Sequence, residues 1–225
     1  MKDNRMMFFI FMLGTFTVGM AEYVVTGLLT QIASDMKVPI SSAGLLISVY
    51  AISVALIGPL MRVFTLKVRA QRLLPVLMAI FIISNVIGML APNFPILLLS
   101  RLLSASMHAP FFGVCMSVAA VVAPRGKKPQ AIALVQAGLT IAVMIGVPFG
   151  SFLGGFANWR FVFGVMILLA VITMLGMMKF VPHVALSTEA SVKKELKVFK
   201  NPHILIVMAI IVFGYSGVFT TYTFM

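Results

Sequence analysis

The chain has 225 residues, 61% of them hydrophobic and only 10% charged, with a mean hydropathy of +1.13. Soluble domains are about 45–50% apolar and about 25% charged, so a water-soluble enzyme is excluded and a polytopic membrane protein is indicated. The net charge of +12 reads as the Lys and Arg excess of cytoplasmic loops, not as a nucleic-acid footprint.

Apolar runs fall at roughly 6–30, 43–64, 73–92, 95–123, 131–153, 160–181 and 203–225. Each approaches or exceeds the ~20 residues a spanning helix needs. They are too long for strands and lack barrel alternation. Backbone groups in lipid must be satisfied within the segment, so an all-α membrane protein follows. Lys2 and Arg5 precede the first run as a signal peptide's basic region would, but the apolar stretch continues to Leu29 with no early A-x-A site. An uncleaved first helix is expected.

Fourteen of the 17 basic residues fall on one side of this arrangement, and only Lys37 and Arg160 on the other. The positive-inside rule then puts the N-terminus in the cytoplasm and the chain in the cell (inner or plasma) membrane as a multi-pass protein.

Span one carries Glu22, the only acidic residue inside any span. A charge there costs a few kcal/mol or more, so it should face a cavity or partner. Thr15, Gly19, Glu22 and Thr26 are spaced 4, 3 and 4 and predict one helical stripe lining an aqueous path. The other reading is a carboxylate that meets water near the outer interface, since Glu22 lies about 11 Å from that end of the span.

In span two, Ala43-Gly44-Leu45-Leu46-Ile47-Ser48-Val49 matches Ala137-Gly138-Leu139-Thr140-Ile141-Ala142-Val143 of span five at five of seven positions, the two spans running in opposite directions. In span four, Arg101 is the only basic residue well inside a run. It lies about 9 Å from the outer start, at a depth similar to Glu22. An ion pair or a shared substrate site is therefore open to them, as is snorkelling of Arg101 to the interface. Ser104 and His108 share its helix face. A buried His reads either as a packing residue or as a proton relay. Cys115 reads as a packed thiol. His183 and His203 are interfacial, and three scattered His with one Cys make no metal site.

Span five carries Gly138, Ala142, Gly146, Gly150 and Gly154 four apart, a small-residue stripe for close helix approach, with Pro148 expected to kink it. Gln136 and Thr140 are the further polar candidates for a cavity wall there. Between spans six and seven, Leu196 and Phe199 stand among lysines, consistent with either a short basic amphipathic helix or a solvated loop. No G-x-S-x-G, phosphate loop or H-E-x-x-H is present, so neither enzyme activity, cofactor nor metal is expected.

Several strings together resemble the major facilitator superfamily, and within it the drug:proton antiporter-like efflux permeases of the arabinose- and purine-efflux type. Ala21-Glu22-Tyr23-Val24-Val25-Thr26-Gly27-Leu28-Leu29 resembles their T-E-F…G-L-L signature, and the run from Ala43 to Ala51 continues it. Arg101 to His108 with Phe111-Phe112-Gly113 is similar to the span-four motif. Gly146-Val147-Pro148-Phe149-Gly150 with Gly154-Gly155 resembles the span-five antiporter motif, and Trp159-Arg160 the opening of span six. Arg62 stands where the span 2–3 loop motif usually has Asp, and Pro110 departs from H-G-A.

The resemblance implies an N-terminal six-helix bundle of two inverted three-helix repeats at 1–182, a basic cytoplasmic linker at 183–202 and a seventh helix at 203–225. The family has twelve spans, so a C-terminal half is an expected missing partner. The implied activity is secondary active transport, namely proton-coupled efflux of a sugar, nucleoside or drug. Glu22 is the proton-coupling candidate and Arg101 the ion-pair or gating residue. Thr15, Gly19, Thr26, Ser104, His108, Gln136 and Thr140 would line the cavity. Gly138, Gly146, Pro148, Gly150 and Gly154 would form the moving helix contact. Substrate, protons and the lipid bilayer are the expected partners. The other reading is a truncated, non-transporting membrane protein or one half of a split transporter.

Overall fold

The computed structural model describes residues 2–65, 68–184 and 201–224, which fall into two units within Met1–Leu186 and Ser187–Met225. The first unit comprises α1 (Lys2–Tyr23), a 3-10 turn (Val24–Leu28), α2 (Leu29–Asp35), α3 (Ile40–Ala43), α4 (Leu45–Thr65), α5 (Ala70–Met89), α6 (Phe94–Val122), α7 (Lys128–Phe156) and α8 (Trp159–Phe180). The second holds α9 (Pro202–Phe224), a 23-residue helix that covers the expected seventh span. Among the described residues six helical segments are long and apolar enough to cross a membrane. Most of the 183–202 linker, residues 185–200, lies outside the described residues, as does the side chain of Arg62.

The span ends follow local chemistry. The α2 terminus closes as a Schellman turn, with Val38 N–H donating to Ala33 O at 3.0 Å and Lys37 N–H to Ser34 O at 3.3 Å. Lys37 takes the left-handed position, φ +54°, usually reserved for Gly, and Pro39 follows. Asn93 and Asn158 cap α6 and α8, their side-chain oxygens accepting from Ile96 N–H and Arg160 N–H at 3.1 Å each.

Span one departs from its reading as one uninterrupted helix. After Glu22 the β-branched run Val24-Val25-Thr26 and then Gly27 form a 3-10 turn. Each of these residues favours the α-helix weakly. By contrast α7 runs unbroken through Pro148 and α6 through Pro110.

Packing reveals the internal symmetry. α1 lies against α7 as α6 lies against α4; α5 lies against α6 as α8 lies against α1; α5 and α8 face each other. Exchanging the first three spans for the second three leaves this set of contacts unchanged, as two inverted three-helix repeats require. The α6–α7 contact has only a weak counterpart, where the 3-10 turn meets α4. Phe11, Phe81, Phe111, Phe163 and Trp159 fill the core. Ile52, Leu56, Leu60 and Phe64 of α4, four apart, all point outward as one apolar face.

Candidate functional site

Three elements bring ionisable groups together inside the first unit. Glu22 comes from the last turn of α1, Tyr50 from α4, and Arg101, Ser104 and His108 from one face of α6. The spacing of the last three, three and four residues apart, puts them on successive turns of a single stripe. Gly58 lets α4 settle on α6 nearby: a Cβ there would lie 2.8 Å from that of Ala109.

The Tyr50 hydroxyl sits 2.9 Å from His108 Nδ1. With the phenol donating, Nδ1 accepts and the imidazole proton rests on Nε2. That nitrogen faces Glu22, 3.8 Å from Oε2, close enough for electrostatic attraction but too long for a direct hydrogen bond. Phe112 stacks on the other side of the ring, centroids 4.7 Å apart and planes 9° from parallel. The imidazole is thereby held in place by a hydrogen bond and a stacked ring.

Arg101 is 1% exposed, and its Nε and both Nη atoms find no hydrogen-bond partner among the described residues. Its guanidinium carbon instead lies 4.3 Å from the centroid of the Tyr50 ring, a cation–π contact. Glu22 and Arg101 thus share one neighbourhood without pairing directly, and Tyr50 and His108 stand between them. Tyr50 carries this arrangement and was not among the sequence candidates. The signal available was a lone phenol in an apolar helix, since a buried Tyr hydroxyl usually finds a partner.

The other candidates are distributed differently. Thr15 is fully buried, its hydroxyl 2.6 Å from Val135 O of α7 and turned to packing rather than to open space. Gly19 likewise meets α7, at Leu139 and Ala142. Thr26 lies half-buried in the 3-10 turn. Gln136 is half-buried and Thr140 exposed on α7, away from the contact that Gly138 makes with Met12 and Thr15. Gly146 and Gly150 continue that contact along Tyr23 and Val24, and Gly154 meets Leu28 and Gln31, while Pro148 is exposed. Cys115 is fully buried. Among the described residues no cluster of His, Cys, Asp and Glu could hold a metal.

A second polar cluster lies at the Asp35 end of the bundle. Asp35 Oδ2 accepts from Trp159 Nε1 at 3.0 Å and from Arg160 Nη1, whose guanidinium also donates to Ala91 O at 3.2 Å and stacks 4.3 Å from the Trp159 ring centroid. This clasp joins the ends of α2, α5 and α8.

Six helices of spanning length in two inverted repeats, with ionisable side chains held inside the bundle, define a multi-pass membrane protein. The chain belongs to the Major Facilitator Superfamily, whose pattern it matches over residues 11–225. It is 46% identical over 220 residues to the uncharacterized MFS-type transporter YfhI of Bacillus subtilis (strain 168), covering 98% of this chain and 55% of that protein. It is 34% identical over 223 residues to a probable sugar efflux transporter of Helicobacter pylori (strain P12), covering 99% and 57%. Among solved structures, a bacterial homolog to the human lysosomal transporter Spinster, inward-facing and unoccupied, superposes with a TM-score of 0.69 at 19% identity, over 88% of this chain and 48% of that one. A peptide transporter in complex with sulfate gives 0.68 at 12% identity, over 96% and 48%. The chain spans about half the length of the curated relatives it matches.

Proposed function

We propose that this chain forms the N-terminal half of a secondary transporter that exports a small molecule, of the sugar, nucleoside or drug class, against inward proton movement. The observation that carries this reading is the Glu22–His108–Tyr50 chain lying beside an unpaired, buried Arg101. A carboxylate, an imidazole and a phenol in sequence can take up, pass and orient a proton. Arg101 supplies a fixed cation beside this chain, held by the face of the Tyr50 ring. The relatives named sugar efflux transporters support export of a polar solute. Substrate would bind between this bundle and a second six-helix half, with α7 rocking on α1 along the Gly138–Gly154 stripe. The N-terminus would be cytoplasmic.

The test pairs this chain with the C-terminal half of YfhI in inverted vesicles. Export driven by a pH gradient is expected, and Glu22→Gln should abolish it while leaving the chain inserted. Unchanged gradient-driven export in the variant would remove Glu22 from the mechanism.

A further inference from the structure

A hollow of about 610 Å³ lies where α5 begins and α8 ends, lined by Gln71, Arg72, Met178, Lys179, Phe180 and His183 among others. It is remote in sequence from the Glu22 site, and the transport proposal uses none of these residues. Arg72 and Lys179 are cationic, His183 adds an imidazole, and no acidic residue among the described residues lines it. Arg72 and Lys179 form no ion pair among the described residues. Both are exposed, so their charge is open to an outside anion. The first turn of α5 adds its amide dipole without any side-chain cap.

Met178, Phe180, Val181 and Pro182 give the hollow an apolar wall. Gln71 Nε2 donates to Val181 O at 3.4 Å, tying the start of α5 to the end of α8. The Lys179 ammonium lies 5.5 Å from the Phe180 ring centroid, and Met178 is 66% exposed on the outward side of α8. A basic cup with no acidic partner among the described residues thus opens beside an apolar helix face, at the end of two spanning helices. The ligand that matches both halves is a phosphate diester carrying acyl chains.

We infer that this cup binds the headgroup phosphate of an anionic phospholipid. Arg72, Lys179 and His183 hold the phosphate oxygens, and Met178 and Phe180 meet the glycerol and upper acyl chain. A guanidinium fork and an ammonium are suited to such an anion, and basic pockets between helices at a membrane face bind these headgroups. The inference rests on membrane insertion and family membership, and not on the proton-coupling proposal.

The 225-residue chain in detergent micelles, titrated with phosphatidylglycerol, phosphatidylcholine or inorganic phosphate and followed by native mass spectrometry, tests it. Phosphatidylglycerol should be retained and phosphatidylcholine should not. Arg72→Gln combined with Lys179→Gln should weaken retention about tenfold or more. Arg72→Lys with Lys179→Arg, and separately Arg125→Gln with Lys127→Gln at another basic loop, should keep it. If the Gln pair does not retain its helical circular dichroism, Lys179→Gln alone is read, with a loss of about threefold or more expected. Equal retention of the two lipids, or parent-like retention by the charge-removing variant, overturns the site. Inorganic phosphate binding as tightly as phosphatidylglycerol overturns the lipid as its ligand and assigns the cup to a free phosphate.

Discussion

A phenol links an imidazole and a guanidinium of the bundle interior. Tyr50 holds His108 by hydrogen bond and Arg101 by its ring face, so it couples groups that do not touch each other. Tyr50→Phe keeps the ring and removes the hydroxyl. We expect it to leave the bundle folded, with a stability cost of about 1 kcal/mol, and to slow proton-coupled export in the paired transporter more than it weakens substrate binding. A thermal melt with a flux assay checks this, and parent-like coupling would show that the hydroxyl only packs. Arg101→Met is expected to fold as well as the parent or better, because an unpaired buried cation is costly; a large loss of stability would mean that Arg101 holds the bundle together. Glu22 and Arg101 were legible in the sequence because charges inside apolar runs are rare. Tyr50 was not, since a Tyr in an apolar helix reads equally as core. Nor was Asp35, which stands beside a loop and shows its role only through Trp159 and Arg160, more than 120 residues away.

Helix contacts set the next scale. α7 approaches α1 and the 3-10 turn so closely that a Cβ on Gly150 would lie 2.7 Å from the carbonyl oxygen of Val24, whereas one on Gly155 would meet nothing within 4 Å. Backbone cannot step aside as a side-chain tip can. Gly150→Leu is therefore expected to cost about 1–3 kcal/mol or to prevent folding, and Gly155→Leu to be tolerated. Detergent stability of the two variants decides between this and a merely flexible glycine run, for which the two would behave alike. At the Asp35 clasp, Asp35→Ala should cost about 1 kcal/mol, since the carboxylate is partly exposed. A melting point unchanged from the parent would show that Trp159 and Arg160 are held by other contacts. The sequence showed the four-residue spacing of the glycines but not their partner, because a small-residue stripe does not say which helix it receives.

For the whole molecule, the spans were legible nearly to their ends, since length and hydropathy alone decide what crosses a bilayer. The inverted repeat was visible in one short string, yet Gly138 of that string meets Met12 and Thr15 while its counterpart Gly44 meets only the carbonyls of its own turn. The symmetry lives in the pairing of helices more than in matched residues. The charge distribution predicts that the N-terminus and the 183–202 segment are cytoplasmic. Protease cleavage of a tag in that segment from outside intact cells without an outer barrier would reverse the orientation. The chain reconstituted alone should give no saturable, gradient-dependent flux. Such flux would show that one bundle transports unaided.

The 3-10 turn after Glu22 also sets a pitch. Its five residues advance about 120° each where an α-helix advances about 100°, and rise about 2.0 Å where it rises about 1.5 Å. Span one is therefore about 2.5 Å longer, and its Asp35 end is wound more than a quarter-turn further, than an unbroken helix of the same residues. Thr26 loses its place above Glu22, while Gln31 reaches Gly154 and Asp35 reaches Trp159. The segment is a screw thread: unwinding it to α pitch would draw Asp35 inward and swing it off Arg160. The acid at one end of the thread and the clasp at the other are turned by the same five residues.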